Sequence, residues 1–154
     1  MNIWTGIILG VVALGVYGLS KLSHASGQLT TQINGRIFKI DITTLTVAID
    51  TIIKNPTHTE ITISYPFIKL MSGGSVLASS DLKQQTISIK PYAQTNITNI
   101  QIPISYLNMG SLAPQVLKRI KDKSQKIKLQ AVVSTQVSFA GTNIPYSFTQ
   151  DITI

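Results

Sequence analysis

Thr46–Leu70 reads TVAIDTIIKNPTHTEITISYPFIKL, and the reading of this stretch decides the fold. Apolar and polar residues alternate on both sides of an interruption. Leu45, Val47, Ile49 and Ile53 share one face before it, and Ile61, Ile63, Tyr65 and Phe67 share one after it. Two-residue alternation marks half-buried strands. The interruption, Asn-Pro-Thr-His-Thr from Asn55 to Thr59, has the chemistry of a corner. Pro56 fixes its own φ, offers no N–H and pushes Asn55 towards extended geometry. Asn55 can bond backbone groups two residues on. A catalytic role for His58 would need a partner. The other histidine, His24, lies far away in sequence, so Asn55 and Pro56 read as a structural corner.

Working outward, the same pattern recurs. Asn34-Gly35 in TTQINGRIFKIDI is a strong hairpin signal, with Phe38, Ile40 and Ile42 alternating after it. MSGGS, Met71–Ser75, reads as a glycine turn. Val76–Ser79, Ile87–Ile89 and Ile100/Ile102/Ile104/Tyr106 continue the series. Pro103 has the opposite parity to those isoleucines, which suits an edge strand. Ile127 to Phe139 and Ile144 to Ile154 alternate most clearly. One segment has helical spacing instead: Leu112, Val116, Leu117 and Ile120 share a face, Ser111 is placed to cap, and Pro114 falls in the first turn. The expected fold is all-β: an antiparallel sandwich of seven to eight strands with one short helix.

A single transmembrane helix is expected before it. Ile3–Leu19 carries no charge and would be about 26 Å long at ~1.5 Å per residue. That is close to the ~30 Å hydrocarbon core of a bilayer. Trp4 and Tyr17 lie near its two ends as interfacial aromatics, and Lys21 follows where it can reach headgroups. Gly6 and Gly10 form a GxxxG spacing that suits close helix packing. A cleaved signal peptide is the competing reading, with small residues at Ser23 and Ala25. It lacks a basic n-region, and Lys21 sits where an uncharged cleavage region should be. The expected organisation is an anchor over 1–22, a linker and first hairpin strand over 23–34, and the sandwich over 35–154. Lys21, Arg36 and Lys39 follow the span, so the positive-inside rule puts the domain on the cytoplasmic side; a virion membrane is the alternative location.

Composition restricts the chemistry. The chain has 154 residues, no cysteine, 13 basic and 6 acidic residues, and a net charge of +7. Thiolate metal sites, disulfides and cysteine nucleophiles are excluded. The acids are scattered, and no nucleophile triad, phosphate loop or HExxH is present. No enzyme, metal site or cofactor is expected. Six of the 13 basic residues, Lys118, Arg119, Lys121, Lys123, Lys126 and Lys128, fall within eleven positions offset only by Asp122. This cluster is a candidate contact for anionic lipid headgroups or an acidic protein surface. Its bland alternative is a solvated helix end complementing the helix dipole. No aromatic is interleaved among these lysines, which argues against single-stranded nucleic acid. A small-molecule ligand would need a cavity between the sheets. Asn96-Ile97-Thr98 is a formal glycosylation sequon, relevant only in a secretory pathway.

The order of these elements resembles a known family. LTVAIDTIIKNPTHTEITISYPFIKLMSGGSVLASSD (Leu45–Asp81) runs strand, Asn-Pro, strand, glycine turn and small-residue strand. TISIKPYAQTNITNIQIPIS (Thr86–Ser105) follows as strand, Pro-containing turn and long strand, and GTNIPYSFTQDITI closes the chain. Over Arg36 to Ile154 this is similar to the late-embryogenesis-abundant group-2 (LEA, WHy domain) family. The resemblance implies an antiparallel sandwich with a helix, no catalytic centre, and an association with desiccation and stress protection. Two functions are carried forward. The first is a non-enzymatic, membrane-anchored component of a larger assembly, a membrane-containing virion or a cell-envelope complex, contacting neighbouring subunits. The alternative is a stress-protective WHy-type protein acting on membranes or client proteins.

Overall fold

The computed structural model describes residues 29–139 and 141–154. They form nine strands and one helix. In chain order these are β1 (Thr30–Ile40), β2 (Thr44–Lys54), β3 (Ile61–Ser64), β4 (Phe67–Ser72), β5 (Ser75–Ser79), β6 (Thr86–Ile89), β7 (Gln94–Ser105), α1 (Ala113–Lys121), β8 (Lys128–Phe139) and β9 (Thr142–Thr153). Two 3-10 turns, Tyr106–Asn108 and Gly110–Leu112, lead from β7 into α1. Two sheets pack face to face, and every pairing is antiparallel. One sheet has the order β1-β2-β7. In the other, β8 pairs β9 along its whole length on one side. On its other side β8 meets β4 and β3 end to end, which carry β5 and β6 in turn.

The alternation read from the sequence fills most of the space between the sheets, but its parity flips at Pro66, so that Ile68 and Leu70 are buried and Tyr65 and Phe67, expected on that face, are only half-buried. Leu45, Val47, Ile49 and Ile53 are buried, facing Ile61, Ile63, Ile68, Leu70, Ala131, Val133, Tyr146 and Phe148. Burying one such side chain contributes about 1.5–3 kcal/mol, so this shared core dominates stability. Pro103 lies on β7, an edge strand of its sheet. Gly73 and Gly74 both have positive φ and close the β4–β5 hairpin, as the paired glycines require.

Four expectations are corrected. Asn34-Gly35 makes no turn: β1 runs straight through it, pairing Asn34 with Asp50 and Gly35 with Ile49. The glycine is there for close approach, because a Cβ at Gly35 would stand 2.8 Å from Ile152 Cδ1 and 3.2 Å from Ile154 Cγ2. The run Phe38, Ile40, Ile42 does not enter the core. β1 ends at Ile40, and all three side chains are exposed. Pro66 and the Ser64–Phe67 break split one expected strand into β3 and β4, which raises the strand count to nine. Ser111 does not cap α1; Leu112 holds the cap position without a side-chain bond, and Pro114 sits in the first turn. The 3-10 turns supply backbone bonds there instead, Leu112 N–H donating to Met109 O.

The gap between the sheets is closed on one flank by a side chain acting as a strand. Gln150 of β9 lies on the buried parity. Its Oε1 accepts from Ile33 N–H at 3.1 Å, and its Nε2 donates to Ile33 O at 3.0 Å. Beside it the Tyr146 and Thr31 hydroxyls meet at 2.7 Å. The outer edge of β1 is thereby partly satisfied without a neighbouring strand.

Candidate functional site

The chain turns at two opposite ends of the sandwich. β2 and β7 run the length between them, pairing Lys54 with Gln94 at one end and Thr44 with Ser105 at the other. Eleven residues of strand put these poles about 35 Å apart at ~3.3 Å per residue. The corner Asn55–Thr59 and the turn Lys90–Ala93 form the first pole. The β1–β2 turn, the 3-10 turns and α1 form the second.

At the first pole Asn55 is fully buried. Its Nδ2 donates to the carbonyls of Thr59, Ile89 and Lys90 at 2.8, 3.1 and 3.2 Å. Its Oδ1 accepts from Thr57 N–H at 3.0 Å and the Thr57 hydroxyl at 2.7 Å. Its own N–H donates to Ala93 O at 2.9 Å. One amide thus ties the corner to the neighbouring turn. Among the described residues, no three of His, Asp and Glu stand together in a way that could hold a metal.

The second pole has the opposite character. An apolar groove of about 570 Å³ opens between the β1–β2 turn and α1, lined by Ile40, Asp41, Ile42, Tyr106, Ala113, Val116, Leu117 and Ile120. It lies at the end of the sandwich, not between the sheets. Its wall is held by backbone and one phenol: Asp41 N–H donates to Thr44 O, Tyr106 N–H to Thr43 O, and Tyr106 OH to Asp41 O at 2.8 Å. Partial burial raises the Tyr106 pKa above its ordinary value, with the Asp41 carboxylate adding to the effect. The apolar helix face read from the spacing is buried only in part. Leu112 and Val116 are buried, whereas Leu117 is 58% and Ile120 40% exposed over the groove. Around it Ile42 is 97% and Leu107 94% exposed.

The cations of the basic cluster flank this pole. Lys118, Arg119 and Lys121 occupy the last turn of α1, as foreseen. Lys123, Lys126 and Lys128 follow along the chain into β8. The ion pairs among the described residues are Arg36–Asp50 and Lys39–Asp41. Among the described residues, therefore, no carboxylate pairs with the cluster lysines. Asp122 is held by the Ser124 hydroxyl and N–H, which lower its pKa, with Arg119 contributing. Asp50 bonds Arg36 and the N–H of Asn99, which sits at φ +59 where the β2–β7 register slips.

Sequence reasoning missed Ile42, Leu107 and Tyr106 as one surface. Leu107 stands in SYLNMGS between the turn formers Ser105, Asn108, Gly110 and Ser111, and those residues were the signal that it would stand clear of the core. The anchor residues Ile3, Trp4, Gly6, Gly10, Tyr17, Leu19 and Lys21 lie outside the described residues. Among the described residues no helix is long and apolar enough to cross a membrane.

No known family profile matches the chain, and no curated protein does. Solved structures do. A protein from Archaeoglobus fulgidus is 10% identical, covers 80% of this chain and 94% of its own, and superposes with a TM-score of 0.53. The ApaA protein from Bordetella pertussis is 11% identical over 82% of this chain and 91% of its own, with a TM-score of 0.52. At such identities these two define the class of fold, an antiparallel β-sandwich, and nothing finer. LEA-like proteins are also among the neighbours, one being 14% identical over 88% of this chain and 75% of its own with a TM-score of 0.42.

Proposed function

We propose that the chain is a non-enzymatic binding domain that holds amphipathic partners at its α1 pole, and that it works as a protective WHy-type protein on membranes or client proteins. One observation carries this reading: among the described residues, six of the nine large exposed hydrophobics belong to this pole, Ile40, Ile42, Leu117 and Ile120 lining one groove and Phe38 and Leu107 coming from the adjoining strand and 3-10 turn, and no carboxylate pairs with the lysines beside them. Clustered apolar exposure marks an interaction surface, whereas single exposed residues need no explanation. The strand order and Asn-Pro corner that resemble the LEA group-2 family support the protective use. The assembly-subunit reading draws on an anchor that falls outside the described residues.

The test has two assays with the full chain: heat aggregation of a labile enzyme, followed by light scattering, and dye leakage from vesicles dried and rehydrated. At least one is expected to be suppressed by the wild type and not by Leu117→Glu, while His58→Ala protects like the wild type. Suppression of neither, or equal suppression by Leu117→Glu, refutes the reading.

A further inference from the structure

We infer that the α1 pole docks on an anionic lipid bilayer, inserting Ile42, Leu107 and Leu117 among the acyl chains while lysines of α1 and the loop after it contact headgroups. This rests on the binding role proposed for the same pole and names its partner.

Three observations select a bilayer over a folded protein. The first is shape. Ile42 and Leu107 are 97% and 94% exposed and come from separate turns, and Leu117 comes from a third element, α1. The first two touch almost nothing of their own chain, and Leu117 keeps more than half of its surface bare. Protein partners bury their anchors in complementary pockets. A fluid hydrocarbon layer accepts separate protruding tips of any arrangement, and apolar area buried there adds directly to affinity.

The second is charge. Lys118 and Lys121 are exposed on α1, Lys123 and Lys126 follow it, and among the described residues no carboxylate pairs with them. The acids nearest the tips are already engaged. Asp41 pairs with Lys39 at 3.2 Å, and Asp122 is bonded by Ser124. A cationic rim around apolar tips matches an anionic headgroup layer over hydrocarbon.

The third is rigidity. Short turns hold the tips in place: Asp41 N–H to Thr44 O at 2.8 Å, Tyr106 OH to Asp41 O at 2.8 Å, and Met109 N–H to Tyr106 O at 3.2 Å. Docking therefore orders few side chains, which lowers its entropic cost.

The chain has no cysteine, so single cysteines can report depth. Leu107→Cys and, at the opposite pole, Tyr92→Cys are each labelled with a polarity-sensitive dye in the full chain. Vesicles are phosphatidylcholine alone or phosphatidylcholine mixed with phosphatidylserine. Residues 3–19 are themselves apolar, so the readout is which pole enters lipid, not whether the protein binds.

The dye at 107 is expected to shift to the blue on phosphatidylserine vesicles, with little shift on phosphatidylcholine and none at 92. Lys118→Gln and Lys121→Gln should each weaken the lipid dependence of that shift about five-fold, the equivalent of ~1 kcal/mol per lysine near the surface. Raising salt should weaken it further. Equal shifts at 107 and 92, no shift at 107, or a shift indifferent to phosphatidylserine would each overturn the inference. If the dye at 107 stays in water while the full chain still suppresses enzyme aggregation through Leu117, the bilayer partner is wrong and the binding role survives. If neither occurs, both fall.

Discussion

The two poles of this sandwich are built from the same kind of connection, a turn between long strands, and differ in what they leave unfinished. At the corner pole the buried Asn55 amide has a partner for both its oxygen and its nitrogen, and the turns it joins are tied to each other, Tyr92 N–H donating to Thr57 O at 3.1 Å. At the α1 pole the backbone is equally well tied, yet the side chains over it are apolar and bare. A region whose polar groups are satisfied and whose apolar groups are covered serves the fold. A region with satisfied backbone but uncovered apolar side chains serves something outside the fold. The contrast predicts that changes at the first pole alter stability and leave binding alone, and that changes at the second do the reverse.

The largest effect expected is from Asn55→Ala. The substitution removes the bonds that tie the corner to the neighbouring turn: the carbonyls of Thr59, Ile89 and Lys90 lose the Nδ2 donor and the Thr57 N–H loses its acceptor, while Thr59 O keeps the Thr57 hydroxyl and Lys90 O keeps the Ala93 N–H. Unsatisfied buried groups cost about 1–3 kcal/mol each, and partial relaxation and water entry bring the total to about 3–4 kcal/mol. Urea unfolding measures it. A loss below about 1 kcal/mol would mean that the corner is not held by this amide.

Next is Tyr146→Phe, which removes the partner of the buried Thr31 hydroxyl at 2.7 Å between the sheets. About 1–2 kcal/mol should be lost at neutral pH. Burial raises the Tyr146 pKa above 10.0, and the Thr31 bond only partly opposes this. In the unfolded chain the phenol ionises first, so the stability it contributes is complete below about pH 10 and is lost as pH rises through the raised folded value. The variant should therefore show a shallower alkaline decline than the wild type. Parallel declines in chemical-denaturation series would sink the assignment.

How far the sequence alone reached follows the same division. The buried parity of β2, β3, β8 and β9 was legible because two-residue alternation is a direct imprint of one covered face. The Asn-Pro corner was legible because its chemistry is local. Gly35 was misread because its reason is not local: the space for a Cβ is taken by Ile152 and Ile154, more than a hundred residues on. Gln150 on a buried parity was passed over for the same reason, since its partner is Ile33. The groove was half legible. Helical spacing placed Leu117 and Ile120 on a face, and the charge count marked the lysines beside it. Whether that face would be covered depends on where β1 ends, and alternation carried Phe38, Ile40 and Ile42 past the point where the sheet stops.

Tyr92 sharpens the comparison because it departs from the rule at its own pole. It follows Pro91 in a turn closed by Ala93 N–H to Lys90 O at 3.1 Å, and has φ +57, a conformation that costs a residue with a Cβ about 1–2 kcal/mol. Its side chain is exposed. Tyr92→Gly removes that strain at the expense of a freer unfolded chain, so a net gain of up to about 1 kcal/mol is expected. A rise in Tm with unchanged vesicle and client behaviour supports the division of labour. A gain in stability accompanied by lost binding would give this pole a working role as well.

The smallest effect on stability is expected where the effect on function is greatest. Ile42 is 97% exposed, on a turn held by backbone bonds from Asp41 and Tyr106 that its side chain does not enter. Ile42→Asp therefore removes no packing from the folded state, and surface changes of this kind stay within about 0.5 kcal/mol. The same change puts a third carboxylate beside Asp41 and Asp122 at the pole proposed to meet anionic headgroups, where like charge is repelled and the apolar tip is gone. Matched unfolding curves with sharply weaker vesicle docking are the expected pair of results. Should Ile42→Asp instead unfold the domain at lower denaturant while binding in proportion to what remains folded, the exposed apolar pole would prove part of the fold, and the contrast between the two ends would collapse.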